Sequence, residues 1–336
     1  MVLDAPSRRA MVAMCLGALA LLSGCGGAIQ PSSATATPAV EAGGASTAAL
    51  RWVAFGDSDS AGFGGSRSLV SNSSGPSCPQ AEADSYARRA TELLPTRAIE
   101  LHVAACGGAL SGDLVQQLGA AGPAGQTDVA TVTVGGNDIG FMELIRQCSN
   151  GSCPDLAASD ADLAHVRRGS DNKADWDVLV DLLAGRFGEI LRWLRPGGTL
   201  LVLTYPLPFP EQSGPCPTGV GLNRGEDAAV VNAAIVRLDD SVVEAVARVA
   251  GSSRDRTAVV VEWRTPEGSP PVSNRPGADG SARRVSWNPA GICGLDPMLN
   301  GLWLDAEIAD SFHPSDRGLD LAAAAVAAII ERRPQR

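Results

Sequence analysis

The sequence predicts an α/β fold in which a parallel sheet is covered by helices on both faces. Short apolar runs typical of buried strands alternate with longer segments of helical periodicity, as expected for βαβ units. This alternation implies a parallel sheet with helices on both faces. After an N-terminal leader and a polar tether, about 285 residues remain, which one α/β domain can hold.

Five segments are predicted as strands because they are short, apolar and bounded by turn-forming residues. In chain order they are residues 51–55, 99–104, 129–134, 199–204 and 257–263. Helical patterns cover residues 84–94, 178–194, 226–249 and 319–332. The segment 178–194 is amphipathic and is followed by Pro196 and Gly197, which stop a helix.

The N-terminus predicts export. Arg8 and Arg9 precede an apolar run that is too short to span a bilayer as a mature helix and is typical of a secretory signal. The run ends in Leu-Ser-Gly followed by Cys25, which resembles a bacterial lipobox, in which the cysteine is acylated and becomes the first mature residue. We therefore expect a signal peptide at residues 1–24 and lipidation of Cys25. The alternative is ordinary cleavage and a secreted protein with an unmodified Cys25.

Residues 25–49 are rich in Gly, Ala, Ser, Thr and Pro and are predicted to be a flexible tether. The folded domain is then expected at residues 50–336, as a monomer held at the outer face of the cell membrane. The formal net charge of −10 and the absence of a basic cluster argue against nucleic acid as a partner. No cysteine pair or histidine cluster has the spacing of a metal site, so no metal is expected.

Gly56-Asp57-Ser58 directly follows the first predicted strand and points to a nucleophile. A strand that ends in this way places a serine hydroxyl at the carboxyl edge of the sheet, where open α/β sheets bind their ligands. The three residues alone are also compatible with a plain turn, because turns are rich in Gly, Asp and Ser.

Asp310 and His313 near the C-terminus supply the other parts of a serine hydrolase. A serine hydroxyl needs a base to take its proton, and a carboxylate holds that base in one tautomer. The spacing of three lets both side chains come from one tight loop, and Pro314 favours an extended backbone at His313.

Gly108 and Asn137 each follow a predicted strand and are candidate donors for an oxyanion hole. Glycine offers a backbone N–H with no Cβ in the way, and asparagine offers a side-chain N–H. In the alternative interpretation, Gly108 only turns the chain and Asn137 caps the next helix.

Taken together, these four blocks resemble the SGNH hydrolases, also called GDSL lipases and esterases. The matching blocks are Gly56-Asp57-Ser58, Gly108, Gly136-Asn137-Asp138 and Asp310-x-x-His313, in that order over roughly residues 50–330. The resemblance implies a three-layer α/β/α domain with a five-stranded parallel sheet in flavodoxin-like order. The first block departs from the family, which usually has an apolar residue where this chain has Asp59.

The resemblance also implies the roles of the site residues. Ser58 attacks a carboxylic ester, His313 moves the proton and Asp310 orients His313. Gly108, Asn137 and the Ser58 N–H form the oxyanion hole, and no cofactor is required. The expected substrate is an ester or lipid small molecule. The alternatives are acetyl or acyl esters on cell-envelope glycans, acyl transfer in place of hydrolysis, and a catalytically idle envelope-binding lipoprotein.

Six cysteines remain after Cys15 in the signal and Cys25 in the lipobox, which in an exported chain implies disulfides. Six cysteines allow fifteen pairings in principle. A sequential pattern similar to that of secreted actinobacterial esterases of the family gives the expected pairs Cys78–Cys106, Cys148–Cys153 and Cys216–Cys293.

Overall fold

The computed structural model describes residues 48–67, 70–71, 78–154, 176–209, 225–263, 283–284, 292, 299–300 and 311–334. All of them belong to the unit Ser46–Arg336. None of the helices in this described part is long and apolar enough to cross a lipid bilayer.

The sheet has the predicted five parallel strands. They are β1 (Leu50–Gly56), β2 (Ile99–Val103), β3 (Val129–Thr133), β4 (Thr199–Leu203) and β5 (Thr257–Glu262). Their spatial order is β2-β1-β3-β4-β5, which is the flavodoxin-like order. A two-residue strand that was not predicted, β6 (Arg283–Arg284), pairs in parallel with β5 at the edge. The order reverses beside β1, so the carboxyl ends of β1 and β3 flank the place where such sheets bind ligands.

Seven helices surround the strands in the described residues. They are α1 (Ser58–Ala61), α2 (Tyr86–Glu92), α3 (Leu114–Ala120), α4 (Phe141–Ser149), α5 (Trp176–Trp193), α6 (Gly225–Ala250) and α7 (Asp316–Glu331). The four predicted helices correspond to α2, α5, α6 and α7, whereas α1, α3 and α4 were not predicted. The first prediction began too early, because Ser85 caps α2 by accepting a hydrogen bond from the Arg88 N–H.

The two central strands are covered on both faces. Every residue of β3 and of β4 is buried, which explains why their sequences are apolar without alternation. Helix α2 packs with α7, and α5 packs with α6. Four of the five strands therefore lead from a buried core to loops at one carboxyl edge, and those loops carry the polar residues.

A buried arginine fixes the beginning of α7. Arg89 on α2 is 3% exposed and pairs with the fully buried Asp84 at 2.8 Å. The same guanidinium pairs with Asp316 and with Asp320, both on α7. Because a desolvated arginine is costly to leave unpaired, this cluster holds the first turn of α7, directly after His313, against α2.

Two of the three expected disulfides are present. Cys78 is bonded to Cys106 and Cys148 to Cys153. The first joins the loop after α1 to the end of β2, and so ties two segments of the carboxyl edge together. Cys216 and Cys293 lie outside the described residues, so their pairing remains a prediction that non-reducing peptide mapping would test.

Candidate active site

Ser58 lies at the carboxyl end of β1, where the chain turns sharply into α1. The turn depends on Gly56, whose φ of +121° is one that side chains rarely adopt. A Cβ at this position would lie 2.0 Å from the carbonyl oxygen of Thr133 in β3. Asp57 then caps α1 by accepting a hydrogen bond from the Asp59 N–H, and Ser58 is the first helical residue.

His313 lies opposite this turn. Its Nε2 is 2.6 Å from the Oγ of Ser58, and both side chains line one cleft at the carboxyl edge. That distance is within the hydrogen-bond reach required of a nucleophile and its base. Asp310 lies outside the described residues, so its contact with His313 remains a prediction.

The backbone around His313 is held in an unusual conformation. Phe312 has a φ of 62°, which is uncommon for a bulky residue. Its ring packs edge-on against Phe141 at 6.3 Å and against Phe209 at 6.2 Å between centroids. The Phe312 N–H donates to the carbonyl of Asn300, and the Asn300 N–H donates to the carbonyl of His313. These contacts keep the imidazole in place over Ser58.

Asn137 follows β3 and also lines the cleft. One N–H of its side-chain amide donates to the carbonyl of Ala109 over 2.9 Å, which orients the amide next to the segment that carries Gly108. An amide has two such N–H groups, so the second is a candidate donor to substrate. The capping alternative is wrong, because α4 begins after Gly140 and has no side-chain cap.

Gly108 lies in the turn after β2 with a φ of +77°, and a Cβ there would have open space around it. Gly108 is not among the residues that line the cleft. The neighbouring segment is nevertheless tied to the Asn137 loop twice. Besides the Asn137 bond, the Ser111 hydroxyl donates to Asp138 over 2.6 Å. Burial raises the pKa of Asp138, whereas its hydrogen bonds with Ser111 lower it.

Asp57 is the central buried acid of the site. It is 2% exposed, and it accepts hydrogen bonds from the Thr133 hydroxyl at 2.7 Å and from the Tyr205 hydroxyl. Burial raises the pKa of Asp57 to about 6, although the hydrogen bonds from Tyr205, Thr133 and Asp59 lower it. The hydrogen bonds therefore offset part of the cost of burying this carboxylate.

A second carboxyl group, that of Asp59, stands where the family usually has an apolar residue after the serine. It lines the cleft beside Ser58. Burial, and then the charge of Asp57, raise its pKa well above the usual value. Within the described residues no cation pairs with Asp59.

The remaining walls of the cleft are largely apolar. They are formed by Phe141, Met142, Pro206, Pro208, Leu299 and Phe312. The loops after β4 and β6 contribute through their described parts, namely Tyr205, Pro206 and Pro208 after β4 and Leu299 after β6.

The sequence argument missed Asp57 as an acid and Tyr205 altogether. Asp57 was taken as part of the turn that presents Ser58. Tyr205 follows β4 in the segment Thr204-Tyr205-Pro206, which has no pattern that marks a functional residue. The strand order could have indicated it, because β4 lies next to β3 and its carboxyl end opens on the same cleft.

A parallel sheet with a paired serine and histidine at its carboxyl edge defines the class of serine hydrolases built on a flavodoxin-like sheet. Comparison with protein families narrows the class, because residues 54–321 match the GDSL-like lipase/acylhydrolase family. The chain belongs to this family and is an ester-hydrolysing enzyme.

The chain is also similar to individual proteins. A lipase from Streptomyces rimosus is 32% identical over 216 residues, which cover 62% of this chain and 73% of the relative. Among solved structures, the extracellular lipase of Streptomyces rimosus covers 84% of this chain and 99% of its own at 19% identity and a TM-score of 0.48. Phospholipase A1 from Streptomyces albidoflavus covers 85% and 100%, at 19% identity and a TM-score of 0.49.

Proposed function

We propose that the protein is a serine esterase that cleaves carboxylic acyl esters through an acyl-enzyme intermediate. The observation that carries the proposal is the 2.6 Å contact between the Ser58 Oγ and the His313 Nε2 at the carboxyl edge of the sheet. A base in this position takes the serine proton as the nucleophile attacks.

The reaction then has two halves. The Ser58 oxygen bonds to the ester carbonyl carbon, and its proton moves to His313. The tetrahedral intermediate collapses, the ester C–O bond breaks, and His313 gives the proton to the leaving alcohol. In the second half, water attacks the acyl-serine and loses its proton to His313, which returns it to Ser58 as the acid leaves. Asp310, which lies outside the described residues, is proposed to orient His313.

The negative charge on the tetrahedral oxygen is proposed to be held by three N–H groups. These are the backbone N–H of Ser58, the backbone N–H of Gly108 and the second side-chain N–H of Asn137. The Asn137–Ala109 hydrogen bond supports this assignment, because it holds the amide and the Gly108 segment together before substrate binds. All groups that these steps use belong to the chain itself.

Replacing Asn137 with Ala is expected to lower kcat by roughly 10²–10³-fold, because one preorganised donor is lost where charge develops. Steady-state kinetics on a soluble nitrophenyl ester measure the loss. Ser111→Ala is the matched control. It removes a hydrogen bond between the same two segments, from Ser111 to Asp138, but it keeps the Asn137 amide that is proposed to donate to the oxyanion. We expect a much smaller loss for it. A rise in KM alone for Asn137→Ala would assign Asn137 to substrate binding instead.

The substrate class proposed is acyl lipid esters. The apolar side chains that line the cleft, Phe141, Met142 and Leu299 among them, support it, because they offer a surface for an acyl chain. The lipase from Streptomyces rimosus, the relative at 32% identity, acts on the same class according to its name.

A fluorophosphonate probe and a chain-length series test the proposal together. Wild-type protein should be labelled covalently by the probe and should turn over nitrophenyl esters, with kcat/KM rising from the acetyl to the longer acyl esters. Labelling without a preference for longer chains would favour the acetyl-ester alternative. Absence of both labelling and turnover would contradict the proposed function.

We further propose that the enzyme works at the outer face of the cell membrane. The disulfides Cys78–Cys106 and Cys148–Cys153 support export, since disulfides persist in oxidising compartments. Residues 1–24 are proposed as a lipoprotein signal peptide, Cys25 as the acylated residue and residues 25–49 as the tether of a monomeric domain at 50–336. A Gly-rich coil of two dozen residues has a reach of about 25–30 Å, enough to bring the domain to lipid head groups.

Cys25→Ala is expected to abolish lipid attachment in the producing cell and to leave hydrolysis of soluble esters by the purified protein unchanged, because none of the proposed site residues belongs to the tether. Mass spectrometry of the mature N-terminus is the measurement. A wild-type terminus that begins downstream of Cys25 and carries no lipid would show a freely secreted enzyme, and would remove the argument for a membrane-proximal substrate.

A further inference from the structure

We propose that Tyr205 is a positioning residue for the ester hydrolysis, because its hydroxyl joins the segment that carries the nucleophile to the segment that carries the oxyanion donor. This inference rests on the proposed function of Ser58 and Asn137. The hydroxyl donates to the Oδ2 of Asp57, next to Ser58. It also accepts the backbone N–H of Gly136, next to Asn137, over 3.2 Å.

Tyr205 itself is buried and is hydrogen-bonded to α6. It is 8% exposed, and its backbone N–H donates to the buried Asp239 of α6 over 2.9 Å. Tyr205 therefore connects the packed elements β4 and α6 to two loops, the one that follows β1 and the one that follows β3. Among the described side chains, only that of Tyr205 forms hydrogen bonds with both Asp57 and Gly136.

Asp57 is also connected to α1, through hydrogen bonds that involve Thr133 and Ser60. The Thr133 hydroxyl donates to Asp57 over 2.7 Å. Because the Thr133 hydroxyl proton is used in the bond to Asp57, the Ser60 hydroxyl is the donor in its 2.8 Å contact with the Thr133 hydroxyl. The Ser60 N–H and the Thr133 N–H add two further bonds, each of 3.1 Å. These hydrogen bonds among Asp57, Thr133 and Ser60, which we call the ring, fix α1, and with it Ser58, at the end of β3.

The hydroxyl hydrogen bonds favour an ionised Asp57. A proton on Oδ2 would oppose the proton that Tyr205 donates there, and a proton on Oδ1 would oppose the proton that Thr133 donates there. Titratable groups surround Asp57 in the described residues, and they are Tyr86 from α2, Asp138 after β3, Tyr205 after β4, His313 before α7 and Asp59 in α1. The hydrogen bond from Tyr205 lowers the pKa of Asp57 and so keeps it ionised at a lower pH.

Tyr205→Phe tests the inference, with Tyr86→Phe as the matched control. Tyr86 is also buried, and its hydroxyl bonds Ser60 at 3.1 Å, but it does not line the cleft and does not touch Asp57. Each variant loses one buried hydroxyl, so similar falls in Tm are expected. For Tyr205→Phe we expect kcat at pH 7 to fall by roughly 10–100-fold, because displaced reacting groups cost this much, with KM changing less. Tyr86→Phe contacts the ring only through Ser60 and should lower kcat clearly less.

The pH profile distinguishes positioning from packing. Losing a hydrogen bond to a charged group should move the acid limb of kcat/KM for Tyr205→Phe upward by roughly one to two pH units. In the Asp57→Asn background, which has no carboxyl to titrate, Tyr205→Phe should produce no such shift. Asp57→Asn alone also tests the ring should Tyr205→Phe fold poorly, and it should lose a similar factor in kcat.

Two results would overturn the inference. The first is a Tyr205→Phe variant that loses Tm as Tyr86→Phe does but keeps the kcat and acid limb of the wild type. The second is a shift of the acid limb that persists in the Asp57→Asn background. Turnover by the wild type in the same assay keeps the proposed function separate, because its absence would count against Ser58 chemistry and not against Tyr205.

Discussion

Ser58→Ala is expected to lower kcat by roughly 10⁴–10⁶-fold, because the covalent route is lost and only binding and oxyanion stabilisation remain. KM and Tm should change little, since Ser58 is partly exposed and its hydroxyl contacts His313 at the cleft. Steady-state kinetics on a nitrophenyl ester and a thermal melt measure these quantities.

Ser60→Ala is the control for this variant. It removes a hydroxyl two residues further along α1 but leaves the contact between Ser58 and His313. It should still be labelled by a fluorophosphonate, whereas Ser58→Ala should not. Ester turnover by Ser58→Ala within tenfold of the wild type would reject Ser58 as the nucleophile.

His313→Gln is expected to cost a factor of the same order, roughly 10⁴–10⁶ in kcat, because Ser58 then has no group to take its proton. His102→Gln is the matched control, since His102 is exposed on β2 and should leave kcat unchanged. Residues that act as one unit are not additive, so the Ser58→Ala/His313→Gln double variant should be hardly slower than either single variant. Additive losses would mean that the two residues act separately.

The sheet could be predicted because its signal is local. Each strand is a short, mainly apolar run that leads into Gly or polar residues, and β3 and β4 contain no charged residue because both their faces are buried. The helices α5, α6 and α7 are long enough for an amphipathic pattern to be seen. Helices α1 and α3 span only four and seven residues, and too few turns remain to establish a period.

Ser58, Asn137 and His313 could be predicted because the chemistry of acyl transfer limits which residue types serve. A nucleophile, a donor and a base had to follow strand ends or lie in tight loops, and the structure brings these three into one cleft. Gly108 was predicted by the same reasoning, and it lies just outside the residues that line the cleft.

The supporting residues could not be predicted, because their roles depend on strand order and conformation. Tyr205 meets Asp57 only because β4 lies beside β3, and nothing in the sequence joins two residues that far apart. Phe312 adopts a φ of 62° only because two aromatic rings and Asn300 hold it there. Propensity alone favours the opposite sign of φ for phenylalanine.

The most direct test of the central claim is to trap the acyl-enzyme. Wild-type protein is mixed with an excess of a nitrophenyl ester, quenched in acid during turnover, and analysed by intact-mass and peptide mass spectrometry. The account predicts one added acyl group, on the peptide that contains Ser58, and none in Ser58→Ala. Turnover with no acyl group on Ser58, or with the group on another residue, would contradict it.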